Sequence, residues 1–139
     1  MKTKYLKIIA LVFLCNSLTS CNQTTYKNQD VLKSITAKVD KIQLFYYGDK
    51  DTLKSFVSDK QRIDLICNLI DGKVDTSLKQ CNPSGYILYY SKEEIVFESF
   101  FSIGNDCEQL SYFLSPQHYN TKLTYRAGIF LSEHLNSLR

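Results

Sequence analysis

Apolar and polar residues alternate along several stretches of the chain, which is the period-two pattern of strands in a half-buried β-sheet. Polar connectors separate these stretches, as in the turn segment 48–51, which begins with Gly48. We therefore predict hairpins and a meander of strands. Pro116 ends the last strand, and the polar residues 117–122 are predicted to form a loop. The predicted strands cover residues 36–47, 52–57, 86–90, 95–103 and 109–115.

Two segments carry apolar residues at helical spacing and begin with a capping residue. Ser58 stands three residues before Gln61, a capping-box spacing, and predicts a helix over about 59–71 that ends near Gly72. Thr124 is the predicted N-cap of a second helix, which runs nearly to the end of the chain. Their apolar stripes are Ile63, Ile66, Cys67 and Ile70 in the first and Ala127, Phe130, Leu131, Leu135 and Leu138 in the second.

Together these elements predict the α+β class, with an antiparallel sheet of about five strands and two helices packed on one face. Neither helix is apolar all round, which suits a helix that covers a sheet. The predicted core face of the sheet consists of Ile42, Leu44, Tyr46, Tyr86, Leu88, Tyr90, Ile95, Phe97, Phe101, Leu110, Tyr112 and Leu114.

The opposite face of the predicted sheet is also aromatic. If the helices cover only one side, this second face is an exposed patch of the kind that binds partners. The alternative is that the segment before the domain, a long loop or strand twist covers it, and cross-strand pairing alone also enriches strands in Tyr and Phe. The candidate binding residues are Phe45, Tyr47, Phe56, Tyr89, Phe100 and Phe113, with Val96 beside them.

The beginning of the chain has the pattern of a secretory signal peptide. Lys2, Lys4 and Lys7 make a basic start, and the apolar run 8–14 follows. A transmembrane helix needs about 20 apolar residues to cross the hydrocarbon. Asn16 interrupts the run well before that length, so we interpret the segment as a signal and not as a membrane span.

Leu18-Thr19-Ser20-Cys21 resembles the lipobox of bacterial lipoproteins, in which an aliphatic residue and two small residues precede a cysteine. The resemblance implies a diacylglycerol on the Cys21 sulfur, cleavage after Ser20, and several acyl chains that together anchor the protein in a membrane. Asn22 stands where an Asp is the usual signal for the inner membrane, so the outer membrane is expected. An ordinary secreted protein with a chance cysteine is the alternative.

This interpretation divides the chain into a signal peptide at 1–20, a lipidated N-terminus and flexible tether at 21–34, and a single α+β domain at 35–139. Removal of the signal leaves 139 − 20 = 119 residues, the size of one modest domain. Three of the 17 basic residues leave with it, so the mature part has 14 basic and 14 acidic residues. This balance gives no basis for nucleic-acid binding.

Three cysteines remain beyond the signal and the lipobox, in a compartment that permits disulfides. If Tyr90 faces Ile95 across a hairpin, Cys81 lies opposite position 104, only three residues from Cys107. We therefore predict a Cys81–Cys107 disulfide. Cys67 lies on the apolar stripe of the first helix and is expected to be a buried structural thiol, with a reactive thiol as the alternative.

No catalytic or metal-binding motif is apparent in the domain. His118 lies in a predicted loop and His134 on the last helix. The spacing does not exclude zinc ligation by Cys81, Cys107 and His118, but no CxxC or HxxxH motif supports it. No phosphate loop or dinucleotide fingerprint is present, so no cofactor is expected. We therefore predict a binding module of the inhibitor, immunity or accessory type that recognises an envelope protein or another ligand. The alternatives are a purely structural envelope component, or an enzyme, thiol-redox or metal protein using Cys67, Cys81, Cys107, His118 or His134.

Overall fold

The computed structural model describes residues 30–69, 74–75, 78–79, 81–104 and 106–138. The predicted signal peptide, the lipobox and most of the tether fall at 1–29, outside the described residues. Helix α1 occupies 30–36. The other elements are β1 Lys41–Tyr47, β2 Thr52–Val57, α2 Lys60–Cys67, β3 Gly85–Ser91, β4 Glu94–Ser102, β5 Gln109–Leu114, β6 Gln117–Lys122 and α3 Tyr125–Ser137.

The strands form one antiparallel sheet of six strands in the order β2-β1-β3-β4-β5-β6. The α+β class is confirmed, with one more strand and one more helix than predicted. The segment 117–122, predicted as a loop, is β6 and pairs with β5 along its length. It looks like a loop in sequence because its outward side chains are polar, while Tyr119 and Thr121 alternate with them and are buried. Pro116 lies in the turn between the two strands and so ends β5 without ending the sheet.

All three helices contribute to the core on the same side of the sheet. Leu32 of α1, Ile66 of α2 and Leu131 of α3 belong to one buried cluster with the inward residues of the strands. Leu32 is 2 % exposed, although its segment was assigned to the tether on the basis of its polar composition. Among the described residues, no helix has the length and apolar character needed to cross a bilayer.

The two longer helices begin at side-chain caps. Thr124 is confirmed as the N-cap of α3, where its hydroxyl accepts a hydrogen bond from the Ala127 backbone amide at 3.3 Å. The predicted cap at Ser58 is wrong by one residue, because Asp59 caps α2 and its carboxylate accepts from the Arg62 amide at 3.0 Å. Asp and Ser cap helices about equally well, so two adjacent capping residues leave the start undetermined in the sequence.

A β-bulge in the β3–β4 hairpin decides which residues enter the core. Near the turn Tyr90 pairs with Ile95 as predicted, but beyond the bulge Tyr89 pairs with Phe97, and Val96 is the extra residue. A shift of one residue moves every later side chain to the other face. The prediction of which residues of β3 face the core is therefore wrong. The predicted core position of Ile95 is also wrong, since this residue is 57 % exposed. The inward residues of β3 are Gly85, Ile87 and Tyr89, and the outward ones are Tyr86, Leu88 and Tyr90.

The predicted Cys81–Cys107 disulfide is confirmed, with 6.4 Å between the two Cα atoms. The buried Gln109 side chain supports this corner. With its amide assigned the orientation that satisfies both neighbours, the nitrogen donates to the Lys79 carbonyl and the oxygen accepts from the Cys81 amide, both at 3.0 Å. The bridge spans 26 residues of sequence. For a loop of that length the chain-entropy model gives a stabilisation of about 3 kcal/mol.

Candidate binding face of the sheet

The side of the sheet opposite the helices, here called the outer face, carries a continuous row of paired side chains. Cross-strand pairing places Phe45 between Lys54 and Tyr86, and Tyr86 in turn opposite Phe100. The row then continues through Ser111 to the last strand. In order across all six strands it consists of Lys54, Phe45, Tyr86, Phe100, Ser111 and Asn120.

The row is held together by contacts between its own side chains. The Phe45 and Tyr86 rings are stacked, with centroids 4.2 Å apart and planes 8° apart. Lys54 Nζ lies 5.6 Å from the Phe45 ring centroid, and the Phe100 ring is 6.3 Å from that of Tyr86. At the far end the Ser111 hydroxyl donates to Asn120 Oδ1 at 2.8 Å. Stacked rings and a cation over a ring each add about 0.5–1.5 kcal/mol to ordinary burial.

The aromatic residues of the outer face differ in how much of each is accessible. Phe45 is only 7 % exposed, because Tyr86 and Lys54 cover its ring. Tyr47, Phe56 and Phe113 are 47 %, 64 % and 65 % exposed. The outer face therefore consists of a shielded stacked centre with large apolar side chains exposed at its margins.

The structure places five of the six candidate binding residues on the outer face: Phe45, Tyr47, Phe56, Phe100 and Phe113. The sixth, Tyr89, is on the core face and is 0 % exposed. Its hydroxyl shares a 3.1 Å hydrogen bond with Ser99 Oγ, and burial raises the pKa of Tyr89 above its ordinary value. Tyr86 takes its place on the outer face. Only the bulge reveals this exchange, and the alternation within β3 alone does not.

Polar side chains at one end of the outer face contact one another. Lys41 forms an ion pair with Glu93 at 2.6 Å and lies 4.9 Å from the Tyr90 ring centroid. The Tyr90 hydroxyl donates to Gln43 Oε1 at 3.0 Å. Burial is the main cause that raises the pKa of Tyr86 at the centre of the face, with smaller contributions from Tyr47 and Glu98. The Tyr86 phenol therefore stays neutral in ordinary buffers.

The residues of the alternative catalytic hypothesis lie on different elements: Cys67 on α2, Cys81 and Cys107 in loops, His118 on β6 and His134 on α3. Cys81 and Cys107 are joined to each other, Cys67 is buried in the core, and the His118 ring packs 4.6 Å from that of Phe113. His134 Nε2 makes a 2.9 Å hydrogen bond with Ser55 Oγ, a contact that sequence spacing does not suggest. Within the described part of the chain, no three His, Cys, Asp or Glu side chains are grouped as metal ligands.

Comparisons of the chain with protein-family models, with curated proteins and with solved structures give no match.

Proposed function

We propose that this chain is a lipoprotein of the bacterial cell envelope, anchored through Cys21 in the outer membrane, and that its domain binds a partner through the outer face of the sheet. The observation that carries the binding role is the outer face itself. All helices of the described chain pack into the core on the other side, while large apolar side chains on this face remain accessible.

Exposed aromatic side chains supply the free energy for such a contact. Tyr and Phe are enriched in the buried centres of protein interfaces, where each contributes a large apolar area at a small cost in side-chain entropy. The stacked centre, with Phe45 under Tyr86, is already ordered before a partner arrives. A surface that is ordered in advance loses less entropy on binding.

The test is a cross-linking pull-down from envelope membranes with three forms of the full chain. The first is wild type, the second carries Tyr47→Ser, Phe56→Ser and Phe113→Ser, and the third carries Tyr125→Ser. Tyr125 is 78 % exposed at the start of α3 and lies off the sheet, so it is a matched control for the loss of an exposed aromatic ring. The expected result is one dominant partner captured by wild type and by the control, and lost in the triple variant.

A fourth form, Cys21→Ala, separates the anchor from the binding face. Loss of membrane association together with retained capture in detergent extracts supports both parts of the proposal. Equal capture by the triple variant and wild type, with both folded by circular dichroism, would remove the outer face as the binding site. Membrane association unchanged in Cys21→Ala would remove the lipid anchor.

A further inference from the structure

An open cleft of about 520 Å³ lies between α2 and α3, on the helical side of the molecule and away from the outer face. Its volume is within the range of sites for small molecules, about 300–1,000 Å³. One wall comes from the first two turns of α2 and the other from the second half of α3. The side chains used below are Asp59, Arg62 and Leu65 on the first wall and Phe130, Glu133 and His134 on the second.

Opposite charges stand on the two walls without meeting. Arg62 lines the cleft from α2 and Glu133 lines it from α3. The ion pairs among the described residues are Lys41–Glu93 and Lys60–Asp64, so neither Arg62 nor Glu133 takes part in one. A ligand with an anionic group and a cationic group can pair with both walls at once.

We propose that this cleft binds a free α-amino acid with an apolar side chain, whose carboxylate pairs with Arg62 and whose ammonium pairs with Glu133. The guanidinium is suited to the carboxylate because its fork of N–H donors forms two parallel hydrogen bonds. The site is independent of the outer face and of any lipid anchor.

The charge of the cleft excludes a simple anion as the preferred ligand. Among the described residues that line the cleft, Asp59 and Glu133 contribute two carboxylates against the one guanidinium of Arg62. Burial, and secondarily the positive charge of Arg62, lowers the pKa of His134, so this residue adds no positive charge at neutral pH. A lone carboxylate therefore meets net negative charge, whereas a zwitterion brings its own compensating cation.

The apolar part of the ligand also has a defined place. The Phe130 ring stacks on the His134 imidazole, with centroids 5.9 Å apart and planes 13° apart. The hydrogen bond between His134 Nε2 and Ser55 Oγ in the sheet holds the imidazole of that pair in place. Leu65 on the facing wall is 39 % exposed. An aliphatic or aromatic side chain inserted between Leu65 and Phe130 would remove apolar surface from water on both walls.

The test is an NMR titration of the 15N-labelled full chain in detergent with three related probes. L-phenylalanine carries both charges, 3-phenylpropionate lacks the ammonium, and phenethylamine lacks the carboxylate. We expect saturable shifts for phenylalanine at residues of α2 and α3 below about 10 mM, and much weaker binding of the other two. Saturable shifts of equal affinity for 3-phenylpropionate, or none for phenylalanine, would overturn the proposal.

Variants test whether Arg62 binds the carboxylate of the ligand and Glu133 binds its ammonium group. Arg62→Gln should weaken phenylalanine binding by about tenfold or more, because it removes a charge-assisted contact. Arg126→Gln is its control, since Arg126 is an exposed arginine on α3 that does not line the cleft. Glu133→Gln should weaken phenylalanine binding without weakening that of 3-phenylpropionate, and Glu98→Gln on the outer face should change neither. An unchanged dissociation constant in Arg62→Gln would contradict the proposal whatever the spectra of the wild type show.

Discussion

The two faces of the sheet are both rich in aromatic residues, yet they bury them in different ways. On the core face, Tyr46, Tyr89 and Phe101 are at most 1 % exposed beneath the helices. On the outer face, Phe45 is nearly as well buried, but its cover consists of side chains from neighbouring strands. Aromatic density alone therefore does not distinguish a core from a surface. The distinguishing feature is whether the covering atoms come from another layer of the fold or from the same sheet.

This comparison predicts a large difference in the cost of removing one ring from each face. Phe101→Ala should lower the free energy of unfolding by about 3–5 kcal/mol, since the ring is fully buried and packs edge-on against Tyr46 at 5.2 Å. Phe113→Ala should change it by less than about 0.5 kcal/mol, because that ring is 65 % exposed. Urea unfolding of both variants is the measurement. Similar costs would mean that the outer face is covered in solution.

A second prediction concerns Gly85 in β3, whose lack of a side chain leaves room for the Phe101 ring on the core face. A Cβ at this position would lie 2.5 Å from Phe101 Cζ and still closer to the Phe45 carbonyl oxygen. Gly85→Ala should therefore lower the free energy of unfolding by about 1–3 kcal/mol through overpacking. Gly104→Ala is unsuitable as a control because Gly104 has a positive φ of 104°. Combination with Phe101→Leu should recover only part of this loss, because it removes the contact with the ring but not the closer contact with the Phe45 carbonyl oxygen.

Two buried tyrosines of the core face allow the stability contributed by a hydrogen bond to be measured apart from that contributed by packing. Tyr89→Phe removes the hydroxyl that is bonded to Ser99 and should cost about 1 kcal/mol. Tyr46→Phe removes a buried hydroxyl that has no hydrogen-bond partner among the described residues, so it should be neutral or stabilising. Thermal unfolding of the two variants side by side tests this contrast. A Tyr46→Phe variant as unstable as Tyr89→Phe would show that water or another group satisfies the Tyr46 hydroxyl.

Much of the fold was predictable because it rests on local signals. Alternation located five of the strands, and Thr124 located the start of α3. The disulfide was identified because Cys81 and Cys107 lie in loops at the same end of one hairpin. The faces of β3 were not predictable in the same way. All five residues from Tyr86 to Tyr90 are apolar or aromatic, so the pattern does not show which set of alternate residues faces the core. The single extra residue at Val96 decides between them.

The candidate sites show the same limit. Five outer-face residues could be found from alternation within single strands, whereas Tyr86 depends on the bulge. The cleft between α2 and α3 combines Arg62 with Glu133, which lie far apart in sequence and belong to no motif. Its geometry depends on how two helices pack across the sheet, and a single sequence holds no local signal for that arrangement.

The outer face allows a direct test of whether its stacked centre contributes to stability. A double-mutant cycle of Phe45→Leu and Tyr86→Leu should give a coupling energy of about 0.5–1 kcal/mol from the stacked rings. Leu keeps most of the apolar volume, so the cycle isolates the contact between the rings. A coupling energy near zero would mean that the stacked contact adds nothing to the stability that each ring contributes by its own burial.

The smallest expected effect is the pH dependence contributed by His134 on the helical side. Burial first, and then the charge of Arg62, lowers the pKa of His134 below the value of about 6.5 that it has in the unfolded chain. As the pH falls through about 6.5, the unfolded state takes up a proton that the folded state does not, so the stability should decrease from about pH 7.5 to pH 5.5. His134→Gln should flatten this slope, whereas His118→Gln, at an exposed position on β6, should leave the slope contributed by His134 intact. The measurement is urea unfolding of each variant at both pH values, compared by slope because His134→Gln also alters the bond to Ser55. An unchanged slope in His134→Gln would show that solvent in the open cleft reaches the imidazole and cancels the effect of burial.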